Sequence, residues 1–328
     1  MDQITVSFPG LGIEEFHLNK IAFTLFGRFE VRWYGLIITL GIILAVLYCA
    51  YRSSEVGITK DDLLDMALYT VIFGVLGARL YYVLMTIGVY EYKSIIDVIA
   101  IWEGGLAIYG GVIGGCLAIY VFCRIKKIPW LRAFDMAAPA VMIGQFMGRW
   151  GNFFNGEAYG YEVPEESFLY FMRMGLIPNI NSSLKMDYFH PTFLYESLWN
   201  FIGFLLINAL FRKRKFDGQV ALMYFTWYGF GRMWIEGLRT DSLYLGVFRV
   251  SQVVGFICFA LGGILLTVGL VFARRRAAAG EAYESCYAKC TGKLSVVNSA
   301  KAEDAPKVSE GAKDDTNEQE DTKNGTEN

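Results

Sequence analysis

Histidine is almost missing from this chain: His17 and His190 are the two among 328 residues. That scarcity argues against a histidine-rich metal centre. The six cysteines, Cys49, Cys116, Cys123, Cys258, Cys286 and Cys290, show no CxxC and no paired spacing. Neither a zinc site nor a disulfide framework is therefore expected, and no metal or organic cofactor is implied. No GxxxxGK run followed by Ser or Thr, and no strand-borne GxGxxG, is present, which leaves nucleotide chemistry without support. The first residues lack a basic stretch followed by an apolar one, so they do not read as a cleaved signal peptide. Nothing resembles a nucleic-acid patch. Charge is sparse too, at 19% of residues, below the usual share in soluble domains.

Apolar residues fill the space that charge leaves, at 54%, with 16% aromatic. Windows of about 20 apolar residues mark membrane-crossing helices. Seven are found, at roughly 34–51, 66–86, 106–123, 134–150, 193–211, 219–237 and 249–273. Only helices or closed barrels satisfy their backbone in lipid. The alternating pattern of an outer-membrane barrel is absent. The expected fold is an all-α polytopic membrane protein of seven spans. Residues 1–32 read as a short surface segment, and the polar loop from Asn152 to Pro191 as a small extracytoplasmic head. The membrane domain is then 1–275. Residues 276–328 form a tail with 11 acids against 6 lysines from Ala277 onward. With almost no large apolar residues it is expected to be disordered and cytoplasmic.

Basic residues set the orientation. RIKKIPWLR (124–132), RKRK (212–215) and the ARRR that ends the last span fall on one side if seven spans are crossed. The loops near 88–105 and 238–248 are poor in bases. The N-terminus is thus expected outside and the C-terminus inside. On that topology several helices carry polar residues into the outer half. They include Arg79, Arg149, Arg232, Glu236, Tyr34 and Tyr109, together with His190, Tyr195 and Glu196 at the start of the fifth span. Ionisable side chains at membrane depth are costly and tend to mark a pathway or a site.

Each has a plainer reading. Arg232 and Glu236 are spaced i,i+4 and could neutralise each other. Arg79 could snorkel to the interface, and Tyr34 and Tyr109 could belong to the aromatic belt. His190 precedes Pro191 and could serve a helix start. The pairs Gly110/Gly114 and Gly111/Gly115 read as close helix packing. The stretch GRWGNFFNGEAYG (148–160) resists such readings best. A helix stop needs one glycine, whereas Gly148, Gly151, Gly156 and Gly160 would let backbone amides approach a ligand. Arg149 offers a bidentate fork for phosphate or carboxylate, and Asn152 and Asn155 add neutral donors. Together these suit an anionic headgroup, most simply a phospholipid's. A lipid transporter would also place arginines at this depth, but would more often show inverted repeats or paired broken helices. A non-catalytic receptor would need no such convergence.

GRWGNFFNGEAYG resembles the signature of bacterial prolipoprotein diacylglyceryl transferases. RWYG (32–35), GARLYYVL (77–84), WEGGLAIYGG (102–111), HPTFLYE (190–196) and YGFGRMWIEGLRTD (228–241) are similar to that family's other blocks and occur in the same order. The resemblance implies transfer of a diacylglyceryl group from phosphatidylglycerol to the lipobox cysteine of a preprolipoprotein, whose signal-peptide helix lies in the same membrane. Glycerol 1-phosphate leaves and a thioether forms, the first step of lipoprotein maturation at the cell membrane. It further implies that Arg149 contacts the headgroup, that Arg232 is needed for activity, and that Tyr34, Asn152, Glu157, Gly160, Tyr228 and Glu236 are functional. Arg79 is a further headgroup candidate by placement. Many members carry histidine in the block at Tyr109; the tyrosine here is similar to Gram-positive members. A phenol of pKa ~10 is a poor base at neutral pH, so Tyr109, His190 and Glu157 all stand as candidates for deprotonating the thiol.

Overall fold

A computed structural model describes residues 2–177, 186–281 and 283. Its helices are α1 (Trp33–Val56), α2 (Lys60–Thr86), α3 (Ile95–Ile99), α4 (Ile108–Lys126), α5 (Trp130–Asn155), α6 (Thr192–Leu210), α7 (Gln219–Ile235) and α8 (Val250–Ala278). The seven long ones coincide with the seven apolar windows. Five are long and apolar enough to cross a membrane by length and composition: α1, α2, α4, α8 and the stretch Thr192–Lys213 that contains α6. The chain is thus a mostly helical, polytopic membrane protein. α7 has only 17 residues, and α5 carries Arg132, Asp135, Gln145 and Arg149 along its length.

The expected all-α fold is corrected by eight short strands among the described residues. These are β1 (Gln3–Phe8), β2 (Ile13–Asn19), β3 (Ile21–Leu25), β4 (Phe29–Arg32), β5 (Met174–Ile177), β6 (Asp187–Phe189), β7 (Tyr244–Leu245) and β8 (Phe248–Arg249). Strands β1 and β2 join β5 and β6 in an antiparallel sheet of order β2-β1-β5-β6. Residues 1–32, expected as a short surface segment, are thus built into strands. Half of this sheet comes from the N-terminus and half from the polar loop after α5. Ile4, Val6, Phe8, Met174 and Leu176 bury one face of it against Phe153 and Phe193, at the end of α5 and the start of α6. Burying that face sets the loop over the helix ends.

Small residues let the helices meet closely. On α2 and α4, Gly77, Gly110 and Gly114 interlock so tightly that a Cβ on Gly110 would lie 2.2 Å from the Gly77 carbonyl oxygen. The glycine pairs of α4 are thus packing surfaces. Gly229 on α7 meets Gly255 on α8 in the same way. Helices α6 and α7 are joined by Trp199 and Trp227, stacked at 4.3 Å. Each indole N–H donates to the other residue's carbonyl, at 3.0 and 2.9 Å.

The basic loops gather at one end. Lys126 pairs with Asp62 at 2.9 Å and Arg132 with Asp217 at 2.9 Å. Buried Glu55 takes Arg52 at 2.8 Å and Arg212 at 2.7 Å. The Asp135 carboxylate accepts the Gly218 and Ala221 backbone N–H groups at the start of α7, satisfying donors that a helix start leaves without partners. Helix α8 runs on to Ala278, past the expected domain boundary at 275, and the Tyr283 hydroxyl bonds Asp217. Almost all of the predicted acidic tail lies outside the described residues.

Candidate active site

At the opposite end, α5 does not stop where its apolar window does. It continues through Gly148 and Gly151 to Asn155, and Gly156 closes it in the left-handed conformation at φ 65°. This corrects the reading that all four glycines free backbone amides for a ligand. Gly148 and Gly151 are helical, and Gly151 makes room for the Tyr34 ring, which would stand 2.9 Å from a Cβ there. Arg149 consequently sits in the last turns of a continuous helix with its backbone already bonded. Its side chain is what it can offer.

Glu196 organises what surrounds it. It stands one turn into α6, and three contacts fix the entry to that helix. The Gly160 N–H donates to the His190 carbonyl at 2.9 Å, the His190 N–H to the Tyr161 carbonyl at 2.9 Å, and the Thr192 hydroxyl to the Ala158 carbonyl at 2.6 Å. Glu196 is 2% exposed. Its Oε1 accepts from Arg149 Nη2 at 2.8 Å, and its Oε2 from Arg232 Nη1 at 2.9 Å, with Arg239 Nη1 at 3.7 Å. Three arginines from three parts of the chain thus meet on one buried carboxylate. A carboxylate this deep stays charged only when paired and hydrogen-bonded, and here the partners are in place.

The network extends on both sides. Arg232 Nη2 also lies 2.7 Å from Glu236, so the i,i+4 pair read from the sequence forms. It does not exhaust Arg232, whose other nitrogen reaches Glu196. Arg239 is forked onto Asp241 through Nε at 2.9 Å and Nη2 at 2.7 Å. Arg149 Nη1 donates to Asn152 Oδ1 at 3.3 Å, and Asn152 and Asn155 both donate to Glu157 Oε1 at 3.1 Å. Glu157 is exposed yet tied through one asparagine to the buried arginines. Tyr34 and Tyr228 lie within electrostatic range of this group, Tyr34 near Glu157 and Arg149, and Tyr228 near Glu196, Arg232 and Arg149. Seven sequence-derived residues, Arg149, Asn152, Glu157, Arg232, Glu236, Tyr34 and Tyr228, are therefore brought together.

The other four lie elsewhere or play a different part. The Tyr109 hydroxyl shares a hydrogen bond with Ser251 on α8 at 3.0 Å, and the ring borders the network, within electrostatic range of Arg232 and Tyr228. His190 is buried beside the Tyr195 hydroxyl, 3.3 Å away, and burial pushes its imidazole below the ordinary histidine value. Gly160 is wedged between His190 and the Leu238 carbonyl, where a Cβ would come within 2.7 Å of both, so it closes a junction. Arg79 donates to the backbone carbonyls of Asp97, Val98 and Gly104 at 2.6, 2.8 and 2.6 Å. It holds the loop before α4 and neither snorkels nor joins the Glu196 group. Two residues of the network were given no site role from the sequence. Glu196 was named only among the polar residues at the start of the fifth span, and Arg239 appeared only within YGFGRMWIEGLRTD; all three arginines that meet Glu196 lie 36 or more residues from it along the chain. No cluster of three or more potential metal ligands of the His, Cys, Asp and Glu types occurs among the described residues.

Chemically, this is a set of fixed guanidinium groups held by buried acids at one end of a helical bundle, beside an exposed carboxylate. It suits an anionic group whose charge grows during reaction. The family model of prolipoprotein diacylglyceryl transferase matches residues 20–268. A Streptococcus pneumoniae phosphatidylglycerol–prolipoprotein diacylglyceryl transferase is 46% identical over 247 residues, covering 75% of this chain and 92% of that protein. Proteins of the same name from Lysinibacillus sphaericus and, numbered 1, from Clostridium perfringens are 42% and 41% identical, covering 79% and 76% of this chain and 93% and 94% of theirs. Matched along most of its length by the family model and by relatives above 40% identity, the chain belongs to the prolipoprotein diacylglyceryl transferases.

Proposed function

We propose that this protein transfers the diacylglyceryl group of phosphatidylglycerol to the lipobox cysteine of preprolipoproteins, at the outer side of the cell membrane. The observation that carries the reading is the meeting of Arg149, Arg232 and Arg239 on buried Glu196. The helices cross seven times, with the N-terminus outside, the basic loops inside and the head over the outer surface. The cysteine sulfur attacks the glyceryl carbon that bears the phosphate. A C–S bond forms, the C–O bond to phosphate breaks, and glycerol 1-phosphate departs with the bonding pair. Arg149 grips the phosphate and Arg232 stabilises the charge that builds on the leaving oxygens. One well-placed donor of this kind is worth ~3 kcal/mol, about a hundredfold in rate.

The thiol proton must also go somewhere. A thiol of pKa ~8.5 is only a few per cent ionised at neutral pH, and neighbouring guanidinium groups favour the thiolate. Of Tyr109, His190 and Glu157, Glu157 is the carboxylate, and Asn152 ties it to Arg149. It is the group we assign to receive the proton, which the departing phosphate or water then takes up. Tyr34 and Tyr228 line the headgroup position beside it.

The test is reconstitution of purified protein with phosphatidylglycerol and a peptide bearing a lipobox cysteine. Glycerol phosphate release and the mass of the peptide are followed together, beside Arg149→Ala. Coupled release and a diacylglyceryl mass gain, both lost in the variant, are expected. Folded protein that binds lipid but yields neither product would turn the reading toward a lipid transporter.

A further inference from the structure

Strands β3 and β4 form a hairpin that the proposed chemistry does not use. Its register pairs Phe23 with Val31, Thr24 with Glu30, and Leu25 with Phe29. Opposed residues share a face and successive pairs alternate. Phe23, Val31, Leu25 and Phe29 therefore form one apolar face, and Thr24 and Glu30 belong to the other. That apolar face is not packed: Phe23 is 48% exposed, Leu25 44% and Phe29 68%. At the turn, the Arg28 N–H donates to the Leu25 carbonyl at 3.1 Å. Both central residues have positive φ, Phe26 at 50° and Gly27 at 66°. Such turns favour asparagine, aspartate or glycine at the first position, and a bulky aromatic there is strained. Phe26 is nonetheless 90% exposed.

A strained aromatic and an open apolar face need something to cover them. Their place in the chain says what. β4 ends at Arg32 and α1 begins at Trp33 with no residue between, so the hairpin is the direct extension of a membrane-crossing helix. Trp33, at the junction, stacks on Phe154 at 5.3 Å. Arg28 at the tip and Lys20 just before β3 supply positive charge at the two ends of the apolar face, while Arg32 at the base lies 4.0 Å from Asp2 and from Glu30. Aromatics flanked by basic residues suit the boundary between acyl chains and anionic headgroups.

We infer that the β3–β4 hairpin lies in the outer leaflet, its Phe23, Leu25, Phe29 and Phe26 side chains among the upper acyl chains and its basic residues among the phosphates. The inference rests on the proposed outward orientation. The hairpin leads straight to Tyr34, so it holds the headgroup end of the site at the depth of its lipid substrate. The lipid surface is the occupant, not a second copy of the chain.

The experiment uses the full-length protein in nanodiscs of phosphatidylglycerol and phosphatidylcholine. A photoreactive benzoylphenylalanine replaces Phe26, Phe29 or, as a control on the polar face, Glu30. Irradiation followed by intact mass analysis is expected to show phospholipid adducts at positions 26 and 29, at least fivefold above position 30. Equal labelling at all three positions, or protein–protein adducts in place of lipid ones, would overturn the inference. Because the adducts are read without turnover, their absence in protein that still transfers diacylglycerol would leave the reaction standing. Phe26→Ser with Phe29→Ser supplies a second reading. The apparent KM for phosphatidylglycerol should rise several-fold with kcat and unfolding temperature little changed, and an unaltered KM would count against the anchor.

Discussion

The carboxylate of Glu196 is the residue whose change should reach furthest, because Arg149 and Arg232 each spend a nitrogen on it. Removing one partner of a buried ionic group leaves the others uncompensated, typically at a cost of roughly 3–5 kcal/mol. Glu196→Ala is therefore expected to lower the unfolding temperature markedly. Glu196→Gln keeps the shape but loses the charge and turns an amide toward an arginine. We expect kcat to fall about a hundredfold, with Glu196→Asp recovering part of it. Steady-state kinetics that separate kcat from KM check this, and a glutamine variant with unchanged kcat would show that the arginines hold their places without it. The sequence revealed Arg149, Arg232, Asn152 and Glu157, because glycine and arginine beside a long apolar run stand out. It placed Glu196 among the outer polar residues but gave it no role, because its meaning lies in partners distant along the chain. Nor could it show that Arg79 spends its donors on loop carbonyls, since a backbone acceptor leaves no mark on composition. His190 gives a second residue-scale prediction. Burial holds its pKa below the ordinary value of 6.5, so the folded protein binds fewer protons than the unfolded chain just below that pH. The neutral form's contribution to stability is complete above pH 6.5 and fades as pH falls through the lowered value. Unfolding temperatures between pH 5 and 8 should drop on the acid side, and His190→Gln should flatten that slope.

Elements were legible in proportion to their length. Every long helix answers to an apolar window, because about 20 residues of one character leave a strong signal. The head strands are three to seven residues long, and β2 and β6 have no fully buried positions; their sheet exists because strands on either side of five helices come together. Short strands joined across such a distance leave little trace in local pattern. The helix seams carry the prediction at this scale. Gly110 and Gly77 let α2 and α4 touch backbone to backbone, and a Cβ on Gly110 would also stand 2.4 Å from the Tyr81 Cβ. Neither a carbonyl nor a Cβ can swing aside, so Gly110→Val must spread the helices. Overpacking of this kind costs roughly 1–3 kcal/mol or more. Thermal unfolding in detergent should show the loss, whereas Gly148→Ala, with nothing within 4 Å of its added Cβ, should stay close to the parent. Tyr109 stands in the first turn of α4 beside Gly110, so the spreading should also disturb its bond to Ser251.

The whole molecule is polarised along its helices. At one end Arg52, Lys126, Arg132, Arg212 and Arg214 crowd the loops. At the other, Arg149, Arg232 and Arg239 are matched by Glu196, Glu236 and Asp241. The distinction matters for insertion, since lysines and arginines in short loops hold their side in the cytoplasm while acids count little. The active end would be poorly retained there, because its loops near 88–105 carry few bases and Arg79 is bound within the fold. The proposed orientation then agrees with the proposed chemistry, in which a lipobox cysteine meets its lipid donor on the outer side. Single-cysteine variants test the arrangement in intact cells with a membrane-impermeant maleimide. Cysteine at Val89, which is 88% exposed, should label at once, and cysteine at Lys127, in the turn after α4, only after permeabilisation. The native cysteines are replaced first, and transferase activity is confirmed in that background. The reverse pattern would put the arginine network on the cytoplasmic side and remove the proposed orientation, while labelling at both positions in sealed cells would mean that the chain inserts both ways.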